Sequence, residues 1–358
     1  MKIVIALPVY LNWPTGGFHV HYKYADLLSR RGHDVTVVFP RRVEERVSGV
    51  ESRLKAPLWA LRLRLKNRPL VPWFPRDSRV KLRLLRNLGA GLLPRADLLI
   101  ATSWHTAEAL ADAPPHCGRK FYIVYDHEYL MTADPTTRQR IERTYRLSFG
   151  MVATSSVVAE TIRRCGGEPL AQVPCGLDFT EFGTDVPPEQ RDRLTLGFPT
   201  RTETLKGAAD AVEAATLLRA RFGDKLRVTT FGSRRVAMPD WIEWVDYPSQ
   251  RRLRQFYNDQ SIFMFPSHFE GWGLPGVEAM ACGAALVTAA NGGCRDYAFD
   301  GETAMVVPSR EPKQLADAVG RLIEDDALRL RLARAGEAFV QRFTWEDSIG
   351  RLSAVLGA

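Results

Sequence analysis

Apolar and polar positions alternate along this chain in a repeating rhythm. Short, mostly aliphatic runs stand at 2–7, 33–39, 96–101, 120–126 and 150–155. Runs of this length that do not alternate are typical of strands buried on both faces. Between them the apolar residues recur at helical spacing, which predicts helices over 18–31, 107–112, 136–149 and 157–164, with Gly32 and Gly166-Gly167 as stops. Strand, helix, strand with short loops is the signature of a doubly wound parallel sheet. The rhythm fails from Arg41 to Arg95. It fails again over 179–193, where Gly183, Pro187, Pro188 and many charges read as an interdomain linker. A second α/β series follows. Strands are expected at 194–198, 226–231, 261–265, 284–288 and 304–307, and helices at 208–222, near 253–258, 278–283, 314–324, 327–343 and 345–356.

A length of 358 residues suits two such domains, and 45% apolar with 25% charged residues describes an ordinary globular protein. The opening Met1-Lys-Ile-Val-Ile-Ala-Leu-Pro8 is too short and too β-branched for a secretory segment, and no run approaches the ~20 apolar residues of a spanning helix. Cys117, Cys165, Cys175, Cys282 and Cys294 form no CxxC pair. They read as small buried residues in a reducing compartment, so the expected location is cytoplasmic. The charge is uneven. Residues 41–95 carry 15 Lys/Arg and 4 Asp/Glu, a net +11, against +8 for the whole chain. Basic residues interleaved with leucines and Trp59, followed by Trp73-Phe-Pro75, suit an anionic membrane surface, which would make the protein peripheral at the inner face. A solvated insertion packed by its leucines is the plainer alternative. Nucleic acid is disfavoured, because no binding motif accompanies the charge.

The chemistry concentrates in Phe265-Pro-Ser-His-Phe-Glu270-Gly-Trp-Gly-Leu-Pro-Gly-Val-Glu278. A strand runs into a glycine-rich loop and then a helix, which aims a helix N-terminus at the carboxyl edge of the sheet. That edge binds ligands in open α/β sheets, and its N–H groups suit phosphate. The backbone of Gly271, Trp272, Gly273 and Leu274 can donate to phosphate oxygens. A Glu in the first turn can accept from both hydroxyls of a vicinal diol. Either Glu alone would serve as a helix cap, but a diol site beside a phosphate site specifies a nucleotide. In the first domain Gly16-Gly17 and Ser103-Trp-His105-Thr lie after predicted strands, where backbone and side chain can reach a ligand. His105, His127 and His268 can each also be a hydrogen-bonded structural histidine.

The 265–283 stretch resembles the E-x7-E signature of retaining glycosyltransferases of family 4. The resemblance continues in Ala289-Ala-Asn-Gly-Gly-Cys-Arg-Asp296, Asp300-Gly-Glu-Thr-Ala304, Val173-Pro-Cys-Gly-Leu-Asp178 and Arg201-Thr-Glu-Thr-Leu-Lys206-Gly207. Tyr125-Asp-His-Glu128, with Tyr145-Arg-Leu, is similar to a bacterial subgroup that includes rhamnosyltransferases. The resemblance implies the GT-B fold: two Rossmann-like, doubly wound parallel-sheet domains facing across a cleft. It places the acceptor domain at 1–186, the nucleotide-sugar domain at 187–342, and a helix over 343–358 crossing back. It implies hexosyltransferase-like transfer from a nucleotide-diphosphate sugar to an acceptor hydroxyl, with retention and without a metal or other cofactor. Arg201 and Lys206 would neutralise the leaving diphosphate, Glu278 would hold the ribose, and Glu270 the donor sugar. Gly16 and Gly17 would admit the donor phosphate and the acceptor, and His105 would touch the sugar. Two positions depart from the family pattern: Thr200 where Gly usually precedes the Arg, and Cys175 where Asn is usual. Two further readings compete. One is a phosphorylase or nucleotide-sugar hydrolase on the same fold. The other is a non-catalytic, membrane-associated binding protein, which would have no need to keep Arg201, Lys206, Glu270 and Glu278 together.

Overall fold

The computed structural model describes residues 1–11, 15–40, 71–126, 128–246 and 248–358. Most of the basic segment, 41–70, and His127 lie outside the described residues. Contacts divide the chain into two compact units. The first holds Met1–Thr154, Val158–Val173 and Ile349–Ala358; the second holds Ser155–Val157 and Pro174–Ser348.

The first unit contains strands β1 (Lys2–Ala6), β2 (Asp34–Pro40), β3 (Lys81–Leu85), β4 (Leu98–Ala101), β5 (Arg119–Val124), β6 (Gly150–Ala153) and β7 (Pro169–Gln172). Its helices are α1 (Gly16–Arg30), α2 (Trp104–Leu110), α3 (Pro135–Thr144) and α4 (Ser156–Arg164). The strands form one parallel sheet in the order β3-β2-β1-β4-β5-β6-β7. The central strands are apolar because helices cover both faces: Ile3, Val4, Ile5, Leu98, Leu99 and Ile100 are all buried.

Several expectations shift here. The basic run around Lys81 is an edge strand, with Lys81 and Arg83 exposed and Leu82 and Leu84 half-buried. That alternation puts the basic side chains on one face and the leucines on the other, and such charges on an edge strand discourage pairing with another chain. Helix α2 begins at Trp104 rather than 107, since Ser103 and Thr106 form a capping box. Helix α3 ends at Thr144, five residues before the expected stop.

The second unit contains β8 (Thr195–Pro199), β9 (Arg227–Gly232), β10 (Glu243–Asp246), β11 (Ile262–Phe265), β12 (Ala285–Ala289) and β13 (Met305–Val307). They form a parallel sheet in the order β10-β9-β8-β11-β12-β13. Its helices are α5 (Ala208–Phe222), α6 (Gln250–Asn258), α7 (Leu274–Ala281), α8 (Pro312–Glu324), α9 (Asp326–Val340) and α10 (Trp345–Leu356), whose last residues belong to the first unit. The core interleaves Leu196, Phe198, Met264 and Val287 from the sheet with Ala211, Leu218, Leu315 and Leu332 from the helices.

The stretch 179–193, expected as a linker, belongs to this unit, and the division falls at Val173/Pro174 rather than at 186/187. Arg191 is the physical reason. Its buried guanidinium donates to the carbonyls of Val186, Tyr257, Gln260 and Cys282, which sews the stretch onto α6 and the end of α7. A buried charge fixed by four carbonyls is not a hinge. At the other end, Arg31 donates to Ile349 O and Ser353 Oγ, and Arg119 to Leu356 O, holding the last turns of α10 in the first unit.

In each sheet the strand order reverses once, between β1 and β4 and between β8 and β11. Loops leaving those strands splay apart, opening a crevice at the carboxyl edge.

Candidate functional site

The residues singled out by the sequence fall on these two edges. In the second unit, Arg201 and Lys206 follow β8, and Glu270 to Gly273 follow β11. The two loops are tied together. His268 N donates to Leu205 O at 2.8 Å, and His268 Nε2 meets Asp210 Oδ2 at 2.8 Å. Gly207 has φ +65°, and a Cβ there would lie 2.2 Å from Pro266 O, so only glycine allows the loops to close to this distance. Thr200, which replaces the usual glycine, is buried, and its hydroxyl and N–H both donate to Phe231 O. It anchors the loop start and leaves Arg201 exposed beyond it.

Lys206 Nζ stands 3.1 Å from Glu270 Oε1, with both side chains mostly shielded at 17% and 14% exposure. Glu270 is held by its backbone, which donates to Asn291 O at 2.9 Å and bridges to Gly292. The pair therefore presents one cation and one carboxylate at fixed positions, unlike flexible surface charges.

Helix α7 starts at Leu274, four residues before the expected start. Glu278 accordingly sits in the second turn and not the first. Gly273 is the N-cap, with φ +88° and no side-chain cap. Its carbonyl accepts from Tyr297 Oη at 2.9 Å. With no side chain satisfying it, this N-terminus retains the N–H groups and partial positive charge that suit an anion. Trp272 contributes backbone only. Its indole is buried against Tyr297 and Phe343, with ring centroids 5.7 and 5.0 Å away, and its Nε1 finds no hydrogen-bond partner among the described residues. It anchors the glycine loop from below.

Glu278 accepts a 2.7 Å hydrogen bond from Tyr257 Oη. Burial pushes its carboxyl up to about 7, and the Tyr257 hydroxyl and the charge of Arg201 pull the other way. It is therefore divided between its acid and its anion near neutral pH. Tyr257 is fully buried on α6 and packs among Phe182, Phe231 and Phe263. No pattern along the chain marks it: it is one tyrosine, 21 positions away, within an ordinary amphipathic helix. The Asp210–His268 pair, 58 positions apart, was equally hidden, and it makes His268 structural.

Cys175, the other departure, is buried in a turn packed on Trp345. A Cβ on Gly176 would lie 2.5 Å from Trp345 Cα, and Leu177 N donates to Phe343 O.

In the first unit, Gly16 and Gly17 open α1, whose N-cap Thr15 provides no side-chain cap. A Cβ on Gly17 would meet the Tyr125 ring at an ordinary 3.5 Å. Among the described residues that is the contact such a Cβ would make. His105 lies in the first turn of α2 rather than in a loop, half-buried, its ring stacked on Trp104 at 3.7 Å.

Two doubly wound units, one carrying a Lys–Glu ion pair, an uncapped helix N-terminus and a shielded carboxyl group at its carboxyl edge, define a Rossmann-like class of protein. Comparison with known proteins narrows this. The model of Glycosyltransferase Family 4 matches residues 15–181, and that of Glycosyl transferases group 1 matches residues 183–339. The chain belongs to glycosyltransferase family 4, as its motifs imply. It is similar to the D-inositol 3-phosphate glycosyltransferase of Xylanimonas cellulosilytica, 29% identical over 238 residues, 58% of this chain and 56% of that protein. The enzyme of the same name from Acidothermus cellulolyticus is 38% identical over 212 residues, 51% of this chain and 47% of that one. The chain thus spans about half the length of the curated relatives it matches. Among solved structures it resembles Anabaena HepE in complex with UDP and glucose, with TM-score 0.73, 17% identity, and coverage of 100% and 99% of the two chains. The fold is GT-B.

Proposed function

We propose that the protein transfers a glycosyl group from a nucleotide-diphosphate sugar to an acceptor hydroxyl with retention of configuration, without a metal or other cofactor. The observation that carries this reading is the Lys206–Glu270 pair beside the uncapped start of α7, with Glu278 further along the same helix. The bond from the anomeric carbon to the diphosphate oxygen breaks, and its electron pair leaves with the diphosphate. Arg201, Lys206 and the N–H groups from Gly271 to Leu274 hold the charge that develops there, and such preorganised charges favour the transition state over the ground state. The acceptor oxygen bonds to the anomeric carbon on the same face, and its proton passes to the departing diphosphate oxygen. Glu270 orients the sugar and Glu278 takes the ribose hydroxyls. The first unit supplies its own binding edge through Gly16, Gly17 and His105, for the acceptor and the sugar.

HepE is solved with UDP and glucose, so UDP heads the panel of candidate nucleotides. A thermal-shift series with UDP, GDP, ADP and dTDP tests the donor site, because a ligand bound by the native state alone raises the midpoint. Radiolabelled sugar recovered in an acceptor supports transfer; sugar released only to water supports the hydrolase reading instead, and orthophosphate-dependent release the phosphorylase.

The partner surface belongs to the same proposal. Lys81, Arg83 and Arg86 are exposed on and just after the edge strand β3, and they continue the basic character of 41–95. We expect this segment to hold the protein at an anionic, cytoplasm-facing membrane. Among the described residues no helix is long and apolar enough to cross one. Flotation with anionic vesicles at low and high salt checks this: binding that salt abolishes supports it, and no binding at low salt removes it.

A further inference from the structure

We propose that Glu128 is a positioning residue for glycosyl transfer: its carboxyl group fixes the first turn of α2, and through it the ring of His105. This rests on the role proposed above for His105.

The first turn of α2 is held from three directions. Its capping box is internally complete: Thr106 N donates to Ser103 Oγ, and Thr106 Oγ1 accepts from the N–H groups of Ser103 and Thr102. Trp104 N, the first helical donor, is outside that box. Both oxygens of Glu128, brought from a turn 24 residues further along the chain, lie 3.1 and 3.0 Å from it. On its other side the carboxyl group accepts a short hydrogen bond from Tyr122 Oη, a fully buried hydroxyl on β5. The Trp104 indole is held in turn by Arg140, whose guanidinium lies 5.0 Å from the ring and pairs with Glu108. The His105 ring stacks on that indole with 29° between the planes. Peptide, indole and imidazole thus form one chain of contacts that begins at Glu128.

The placement is costly. Burial pushes the Glu128 carboxyl up to about 7, and Asp126 adds to this, while the Tyr122 hydroxyl and Trp104 N–H act against it. Tyr145 stacks on Tyr122 and closes that side of the group. The Ser103–Thr106 box already caps this seven-residue helix, so a desolvated carboxylate on Trp104 N is more than the cap requires. A carboxyl group perturbed by burial beside a candidate functional side chain is characteristic of such sites.

The test uses the full chain, with UDP release from UDP-glucose as the readout, or from the glucose nucleotide of whichever base the thermal-shift panel selects. Glu128→Ala leaves Trp104 N–H without its acceptor. It is expected to lower kcat by about 10–100-fold, with the donor KM and the nucleotide-induced thermal shift unchanged. Glu128→Gln keeps an acceptor oxygen at Trp104 N and is expected to restore kcat to within about threefold of the parent. In a His105→Ala background Glu128→Ala should cost nothing further, because the two act as one unit. The His105 imidazole resonances should shift or broaden in Glu128→Ala and not in Glu128→Gln. If the Ala variant does not fold, Glu128→Asp, one methylene too short to reach Trp104 N, takes its place. Unchanged kcat in the Ala or Asp variant, no rescue by Gln, or a full additional loss in the His105→Ala background overturns the proposal. A parent protein that neither binds a nucleotide nor releases one from its sugar overturns the transfer reading instead, and the imidazole resonances still report whether Glu128 positions His105.

Discussion

The role proposed for Glu278 ties nucleotide binding to stability and pH through one carboxyl group, and Glu278→Gln separates the three. Its carboxyl is raised from 4.5 to about 7, with burial as the largest cause. Because the folded value lies above the unfolded one, the folded state holds the extra proton between those limits. The stability contribution is full below about 4.5 and is lost as pH rises through about 7. At ~1.4 kcal/mol per unit, the ionised carboxylate costs the fold about 2–3 kcal/mol at pH 8–9, after allowing for partial exposure. Gln keeps the shape and an acceptor for Tyr257 Oη but cannot ionise. The variant should therefore match the parent near pH 4.5 and exceed it by about 2–3 kcal/mol at pH 8.5, or roughly 4–12 °C in the midpoint of a unit of this size. Its nucleotide affinity should fall by about tenfold or more, because one amide oxygen replaces two carboxylate oxygens facing a diol. In the parent, a diol donating into the carboxylate favours the ionised form, so affinity should rise from pH 6 to 8; in the variant it should be flat. Urea melts and nucleotide titrations across pH 5–9 measure both quantities. Parallel stability curves for parent and variant, or an unchanged affinity, would refute the reasoning.

Lys206→Ala removes the cation proposed to receive the leaving diphosphate and should lower kcat by about 10²–10³; because it strips the shielded Glu270 of its partner it should also lower the thermal midpoint, read by steady-state kinetics and melting. Gly207→Ala and Gly17→Ala should behave in opposite ways. The first forces φ +65° on alanine with its Cβ 2.2 Å from Pro266 O, and should destabilise by about 2 kcal/mol or more. Among the described residues the second meets an ordinary contact with Tyr125, and it should leave the urea midpoint nearly unchanged while weakening turnover. A Gly17→Ala variant as active as the parent would remove the case for ligand contact at that turn.

Much of the site was legible because its parts are local. Glu270, the glycines and Glu278 lie within one strand–loop–helix, so their spacing alone places them on one sheet edge. The helix boundaries were not, since they depend on caps that act through space. Pro275 and an uncapped Gly273 start α7 at Leu274, four residues ahead of the expected start, and the Ser103–Thr106 box starts α2 before His105. β3 was hidden because its basic residues masked its leucines. The linker reading over 179–193 failed because prolines and charges suggest exposure, whereas Arg191 is buried by carbonyls from α6 and α7.

The sequence by itself determined two doubly wound sheets, because runs of residues like Ile3-Val-Ile5 and Phe263-Met-Phe265 are stable only with both faces covered. It also determined which loops carry glycines and which carry charge. The tertiary structure decided what each charge is worth. The Tyr257 hydroxyl and the desolvation that together set Glu278, the Asp210–His268 tie between α5 and the loop after β11, the Lys206–Glu270 distance and the grip of Glu128 on Trp104 all join residues from different elements. The physical reason is one of range. Backbone propensity and apolar periodicity act within a few residues, whereas burial and electrostatics act over a few ångströms of space, whatever the separation along the chain.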